Sequence, residues 1–283
     1  MLLVVRATAH LSCEQRISRH VIAEQHLALT DTYHSSWHLP HVIQPDKSRT
    51  EFIGEVFLRC NAKEVVERCA ATVRELSGEA YGPDVQIPEV KIHGHLTATL
   101  TYIPAHLEYI IGELLRNSVQ AAVEQRRATT GIPPPIEVLI CETPQHVIFR
   151  ISDHGGGVSP AILPHLWSFV KGSRRHARLE NLRKITHLSA NLQEMKVLES
   201  EPTKNRVEDR RTPVDGSLRS LTGRPPNLRL GIGLSMSRVY AEYWAGSLEL
   251  HSLEGYGVDA FLQISKLGNK NEQLSTRATM DGL

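Results

Sequence analysis

Arg150-Ile-Ser-Asp153-His-Gly-Gly-Gly157 ends a run of β-branched and polar residues that starts at His146, and its reading decides the fold. A buried strand closing on an aspartate holds that carboxylate in place, and the glycines after it let the backbone bend sharply. A carboxylate so held can accept a hydrogen bond from an exocyclic amine. The same letters also spell a common Asp-Gly turn, so the sequence on either side must decide.

On the N-terminal side, Ile136–Glu142 and His146–Ser152 are two β-branched runs separated by Thr-Pro-Gln, a hairpin that leads into Asp153. Before it, Pro104 opens a helix predicted over 105–127, and Gly131-Ile-Pro-Pro-Pro135 stops it. Leu107, Ile110, Ile111, Leu114, Leu115, Val119, Ala122 and Val123 form its apolar stripe. Glu113 and Asn117 lie four apart in this helix and so share a face. A carboxylate beside a carboxamide can position a hydroxyl and offer oxygen to Mg²⁺, although a solvated stripe has the same spacing.

On the C-terminal side, from about residue 171 to 228 the pattern dissolves into Arg, Lys, Glu, Ser, Thr and Pro, which predicts a mobile polar insertion with room for one helix at 177–197. Order is expected again at Gly231-Ile-Gly233-Leu234, which opens a helix through Ala245, followed by strands Ser247–Leu253 and Val258–Ile264. Glycines at a helix N-terminus let backbone N–H groups face a phosphate. No GxGxxG follows a first strand and no GK[ST] occurs, which excludes the Rossmann and Walker arrangements.

The order of the three pieces carries more than any one of them. An acid/amide helix, a strand ending in Asp-x-Gly-x-Gly, a polar insertion and a Gly-x-Gly helix together resemble the N, G1 and G2 boxes of the GHKL ATPases (histidine kinases, gyrase, MutL). Four further stretches sharpen the resemblance: Ile17-Ser-Arg-His-Val-Ile-Ala-Glu-Gln-His-Leu-Ala-Leu29, Leu107-Glu-Tyr-Ile-Ile-Gly-Glu113, Ser237-Arg-Val-Tyr-Ala-Glu-Tyr-Trp-Ala-Gly-Ser-Leu248 and Leu253-Glu-Gly-Tyr-Gly-Val-Asp-Ala260. With the Asp153 segment, they are similar to the mitochondrial pyruvate and branched-chain 2-oxo-acid dehydrogenase kinases. Tyr109 resembles the branched-chain type.

The resemblance implies an α+β fold of the GHKL (Bergerat) type, a mixed sheet with helices on one face. It implies an ATP- and Mg²⁺-dependent protein serine kinase of the mitochondrial matrix that phosphorylates and inactivates the E1α subunit of a 2-oxo-acid dehydrogenase complex. Its partners would be E1α and the lipoyl-bearing E2 core, and a homodimer is compatible with the reading. Glu113 would be the base for the substrate serine and Asn117 the Mg²⁺ ligand. Asp153 would bind adenine in a pocket shaped by Gly155 and Gly157, and Gly231, Gly233 and Leu234 would hold the phosphates. The alternative is an adaptor that keeps the ATP-binding fold without productive catalysis. A two-component histidine kinase would need an acceptor such as His20 or His26.

Bulk properties agree with this class. With 32 basic and 31 acidic residues, the charge balance predicts no polyanion-binding surface and hence no nucleic-acid partner. No apolar run reaches membrane-spanning length. Cys13, Cys60, Cys69 and Cys141 form no CxxC pair and are read as reduced, mostly buried thiols. The histidine groups His34/His38/His41 and His93/His95 lack acidic or thiol partners at ligand spacing and are read as loop residues.

Residues 1–49 are expected to be a residual helical-bundle segment, with a helix over 14–33 whose stripe, Ile17, Val21, Ile22, Leu27 and Leu29, is short of partners and prone to self-association. The ATP-binding domain is expected over 50–266, with a lid insertion at 172–228 and a disordered tail at 267–283. Phe52–Phe57 is expected to form a strand, and Asn61 to cap a helix running to about Leu76. Val85–Ile92 and Leu96–Tyr102 are expected as strands joined near Gly94.

Overall fold

The computed structural model describes residues 2–34, 52–53, 56–128, 133–169 and 231–266. The insertion, the tail, His38 and His41 lie outside these. Helix α1 spans Leu2–His34, longer at its start than expected. Strands β1 (Phe52–Ile53) and β2 (Val56–Asn61) replace the single strand predicted over 52–57, pairing antiparallel with Phe52 opposite Phe57. Helix α2 is Ala62–Tyr81, and its Asn61 cap is as expected: the Asn61 side chain accepts from the Lys63 and Glu64 N–H groups at 2.9 and 3.3 Å.

The Val85–Ile92 run is strand only in its last part, as β3 (Val90–Gly94). Pro88 offers no N–H to a ladder, so pairing starts beyond it. Strand β4 begins late, at Thr99, and ends at Tyr102. Nor do β3 and β4 pair with each other. β3 runs parallel to β5 (Ile136–Glu142), whereas β4 completes a separate three-stranded sheet of order β1-β2-β4. The chain crosses between sheets at Gly94, whose positive φ of 96° suits glycine and where a side chain would collide with the Ile140 carbonyl.

The main sheet is mixed, of order β3-β5-β6-β8-β7, with β6 at His146–Asp153, β7 at Ser247–Leu253 and β8 at Gly257–Ser265. The predicted hairpin is present, with Leu139 opposite Arg150. Alternation sorts its faces: Val147, Phe149, Ile151 and Asp153 of β6 are buried, while Ile148 joins Phe261, His251 and Glu249 on the other face.

Helix α3 (Pro104–Ala128) is the centre of the molecule. Its predicted stripe is buried, and so are His106, Glu113, Arg116 and Ser118, because α2, the sheet and a last helix, α4 (Gly233–Tyr243), all pack on it. Aromatic contacts fasten α4 to α3 and β4: Tyr102 donates to the Tyr240 carbonyl at 3.4 Å, and the indole N–H of Trp244 donates to Nδ1 of His106 at 3.0 Å. Tyr109 is a core residue here, its ring 5.4 Å from that of Tyr240.

The stripe on α1 divides. Ile17 is buried with Cys13 and Val21 packed on the core, and His10 pairs with Glu242 of α4 at 2.8 Å. Ile22, Leu27 and Leu29 stay exposed. Burial pushes the Cys60 thiol up to about 11 and the Cys69 thiol up to about 12, so both are protonated, in keeping with inert buried cysteines. His95 is structural, its Nδ1 accepting from the Glu142 N–H at 2.9 Å. No described helix is long and apolar enough to cross a membrane.

Candidate functional site

One line of residues on α3 touches both glycine segments of the predicted site. Glu113, Asn117, Ala121 and Gln125 follow at four-residue intervals, about 6 Å apart along the axis. At one end, the Glu113 carboxylate lies against Gly233, where any side chain would collide with it. At the other, Gly155 sits on Ala121 and Gly156 on the Gln125 side chain, both too close for a Cβ. Asn117 lies between the two ends and is exposed. From Glu113 to Ala121 is about 12 Å along the axis, the scale of a nucleotide from base to phosphates.

Asp153 ends β6 opposite Val258 of β8 and is only 7% exposed. Its Oδ1 accepts from the Gly155 N–H at 2.9 Å, and the Ser118 hydroxyl and the Val258 N–H add further hydrogen bonds. Burial nevertheless holds the carboxyl above its ordinary value, the hydrogen bonds opposing this only in part. Ser118 was not among the residues singled out from sequence. It lies next to Asn117, and its hydroxyl could have been suspected only once the Asp153 strand was placed over α3.

Glu113 is almost fully buried, with Arg116 one turn on and equally enclosed, Nε standing 3.8 Å from Oε1. Arg116 is a second residue that sequence reasoning passed over; burial of both members of an i,i+3 pair cannot be read from spacing alone. The partner of the carboxylate across the site is the N-terminus of α4. This helix has no side-chain cap at Ile232, and a helix start without a cap is suited to receiving an anion. Gly231 precedes it with φ of 70°, Gly233 is buried and Leu234 is partly buried. The hydroxyls of Ser235 and Ser237, just inside the helix, are buried without a hydrogen-bond partner among the described residues.

The structure thus sets Gly233 against Glu113 and Gly155 against Asp153 and Ala121, with Asn117 between them on α3; Gly157 packs on Leu253, and Gly231 and Leu234 flank Gly233. A buried acceptor stands at one end and an uncapped helix N-terminus at the other, with a carboxylate beside it. Those features fit a molecule with an amine-bearing heterocycle and an anionic tail.

The position of Asp153 has a consequence for pH. A raised carboxyl pKa means that its proton is taken up at a higher pH than in the unfolded chain. For this group stability is gained as pH falls through the folded value and lost as pH rises through it. Acceptance of a ligand's hydrogen bond by this carboxylate would move the other way, because the protonated carboxyl loses acceptor capacity. Acidification is expected to narrow the stability difference between wild type and Asp153→Asn; thermal melts of the two proteins across pH check the sign.

Comparison with known proteins points the same way. The chain is similar to pyruvate dehydrogenase (acetyl-transferring) kinase 2, mitochondrial, of Saccharomyces cerevisiae, at 31% identity over 92% of this chain and 56% of the relative. It is 27% identical to the mitochondrial pyruvate dehydrogenase kinase of Arabidopsis thaliana, over 78% of this chain and 50% of that one. Pyruvate dehydrogenase kinase isozyme 1 of Mus musculus is 27% identical over 90% of this chain and 48% of its own length. The chain thus spans about half the length of the curated relatives it matches. These three carry the pyruvate name, and nothing in them separates off a branched-chain type. Residues 102–267, more than half of the 283, match the model for histidine kinase-, DNA gyrase B- and HSP90-like ATPases, and the chain belongs to that family.

Proposed function

We propose that the chain is the catalytic part of an ATP-dependent protein serine kinase that phosphorylates, and thereby inactivates, the E1α subunit of a mitochondrial 2-oxo-acid dehydrogenase complex. The single observation that favours catalysis is the Glu113 carboxylate held against Gly233, at the helix N-terminus suited to phosphates, and the kinase names of the relatives favour a protein hydroxyl over water as the acceptor. A group meant only to hold a nucleotide would not need an anion beside the terminal phosphate. A base for an incoming hydroxyl does.

In this reading Asp153 accepts from the adenine amine, and the Gly155 N–H fixes the carboxylate by donating to Oδ1. The backbone N–H groups at Gly233 and Leu234 receive the phosphates. Glu113 takes the serine proton as the serine oxygen forms its bond to the terminal phosphorus and the bond to the leaving ADP oxygen breaks. Mg²⁺, when bound, would neutralise phosphate charge. The exposed Asn117 carboxamide is a suitable hard-oxygen donor from the protein, since this ion takes few protein ligands beside phosphates and water. Arg116 is placed to steady Glu113.

The names of the relatives support a mitochondrial location and a partner in a 2-oxo-acid dehydrogenase complex; the matrix compartment and the E1α and E2 partners are part of the proposal. Incubation with γ-labelled ATP, Mg²⁺ and purified pyruvate or branched-chain E1 tests it. Label on an E1α serine is the expected result, and the better of the two substrates identifies the complex. Tight nucleotide binding with no transfer to either E1 would replace the kinase by an adaptor.

A further inference from the structure

The Asp153 loop is held from both sides, and its second support belongs to neither α3 nor the phosphate end. The turn between β7 and β8, Glu254–Tyr256, clasps it. The Gly255 N–H donates to the Gly156 carbonyl at 2.8 Å, and the Gly156 N–H donates to the Tyr256 carbonyl at 3.2 Å. The Ser252 hydroxyl oxygen accepts from the Val158 N–H at 2.7 Å. Gly157 lies so close to the Leu253 carbonyl, and Gly257 to the Asp153 carbonyl, that neither could carry a side chain. Across this seam the His154 Nε2 and the Tyr256 hydroxyl are 3.2 Å apart, and the two rings meet edge to face with centroids 5.0 Å apart.

We infer that His154 and Tyr256 are positioning residues for the nucleotide, a latch that keeps the Gly155–Gly157 loop closed on Asp153; the inference rests on the nucleotide reading of that site. The reasoning is one of preorganisation. Gly156 and Gly157 sit at φ of 83° and 74°, and glycine explores many other conformations when nothing holds it. The Gly155 N–H that fixes Asp153 is part of this loop. Any freedom gained there must be lost again on binding, and the lost freedom appears as weaker affinity. Tyr256 is 60% exposed, so its ring contributes little to the core. That separates the two roles: a residue important only for stability would be buried, whereas an exposed ring pinned on a binding loop acts through the loop.

The test uses the full chain and Mg·ADP, with His154→Ala, Tyr256→Ala, the double substitution and Tyr256→Phe. An edge-to-face pair with one hydrogen bond corresponds to about two- to tenfold in a binding constant. Each alanine variant should therefore weaken ADP by about that factor, mainly through faster release, with Tm unchanged. The double substitution should be no worse than the more damaging single one, because both break the same latch, and Tyr256→Phe should recover the part due to the ring contact. Unchanged ADP affinity, additive losses in the double variant, or losses that follow a lowered Tm would each overturn the latch. If the unsubstituted chain fails to bind ADP, the nucleotide reading falls and takes the latch with it. If it binds in an Asp153-dependent way and the Tyr256 variants bind equally well, only the latch is wrong.

Discussion

Glu113→Gln is expected to slow phosphoryl transfer by about 10²–10⁴-fold, the usual contribution of a positioned general base, while leaving ADP affinity nearly unchanged. The substitution preserves size, which matters where the side chain is enclosed by Gly233 and Arg116. It removes the charge that would take the serine proton. Because the carboxylate lies at a helix N-terminus, its loss should if anything relieve repulsion toward the phosphates, so ADP affinity should hold or rise slightly. Single-turnover transfer to E1 alongside calorimetric ADP titration separates the two effects. Equal transfer rates in the two proteins would show that Glu113 is not the base. A collapse of ADP binding would show that it belongs to the pocket wall instead.

Asp153→Ala attacks the other end of the site. An adenine amine enclosed without an acceptor costs about 1–3 kcal/mol, equivalent to roughly tenfold or more in affinity. Here the loss is compounded, since the Gly155 N–H, the Ser118 hydroxyl and the Val258 N–H would also lose their shared acceptor. The loop they hold would slacken with them. Titration of ADP into the variant and melts of the free protein address both parts. Unchanged affinity would remove Asp153 from the site, however well folded the variant.

Much of the fold is legible in the sequence, for a physical reason. The α3 stripe and the β5–β6 hairpin are written in local periodicities, and both formed where the residues predicted. The N-cap at Asn61 is equally local. What was not legible depends on neighbours distant in sequence. The strands flanking Gly94 look like two arms of one hairpin, yet β3 pairs with β5 and β4 with β2, because sheet membership is decided by partners dozens of residues away. The burial of Arg116 beside Glu113, and the reach of Ser118 to Asp153, exist only because α4 and β6 close over α3. Tyr256 and His154 stand a hundred residues apart and meet through the β6–β8 register, which places Asp153 opposite Val258. Tyr109, taken from the resemblance as a mark of substrate type, turned out to be part of the packing between α3 and α4. The 172–228 insertion, read as a lid, lies outside the described residues.

The central claim is that this pocket reads adenine through a buried carboxylate and receives phosphates at the N-terminus of α4. It makes a direct demand on base selectivity. Adenine presents an amine to Asp153, whereas guanine presents a carbonyl oxygen at the same ring position, so a guanine nucleotide sets acceptor against acceptor. Titration of Mg·ADP and Mg·GDP into the same preparation by calorimetry measures this. The account predicts that ADP binds and that GDP binds at least about tenfold more weakly, the cost of an unmet buried polar group. Equal affinities for the two nucleotides, or no binding of ADP, would contradict it.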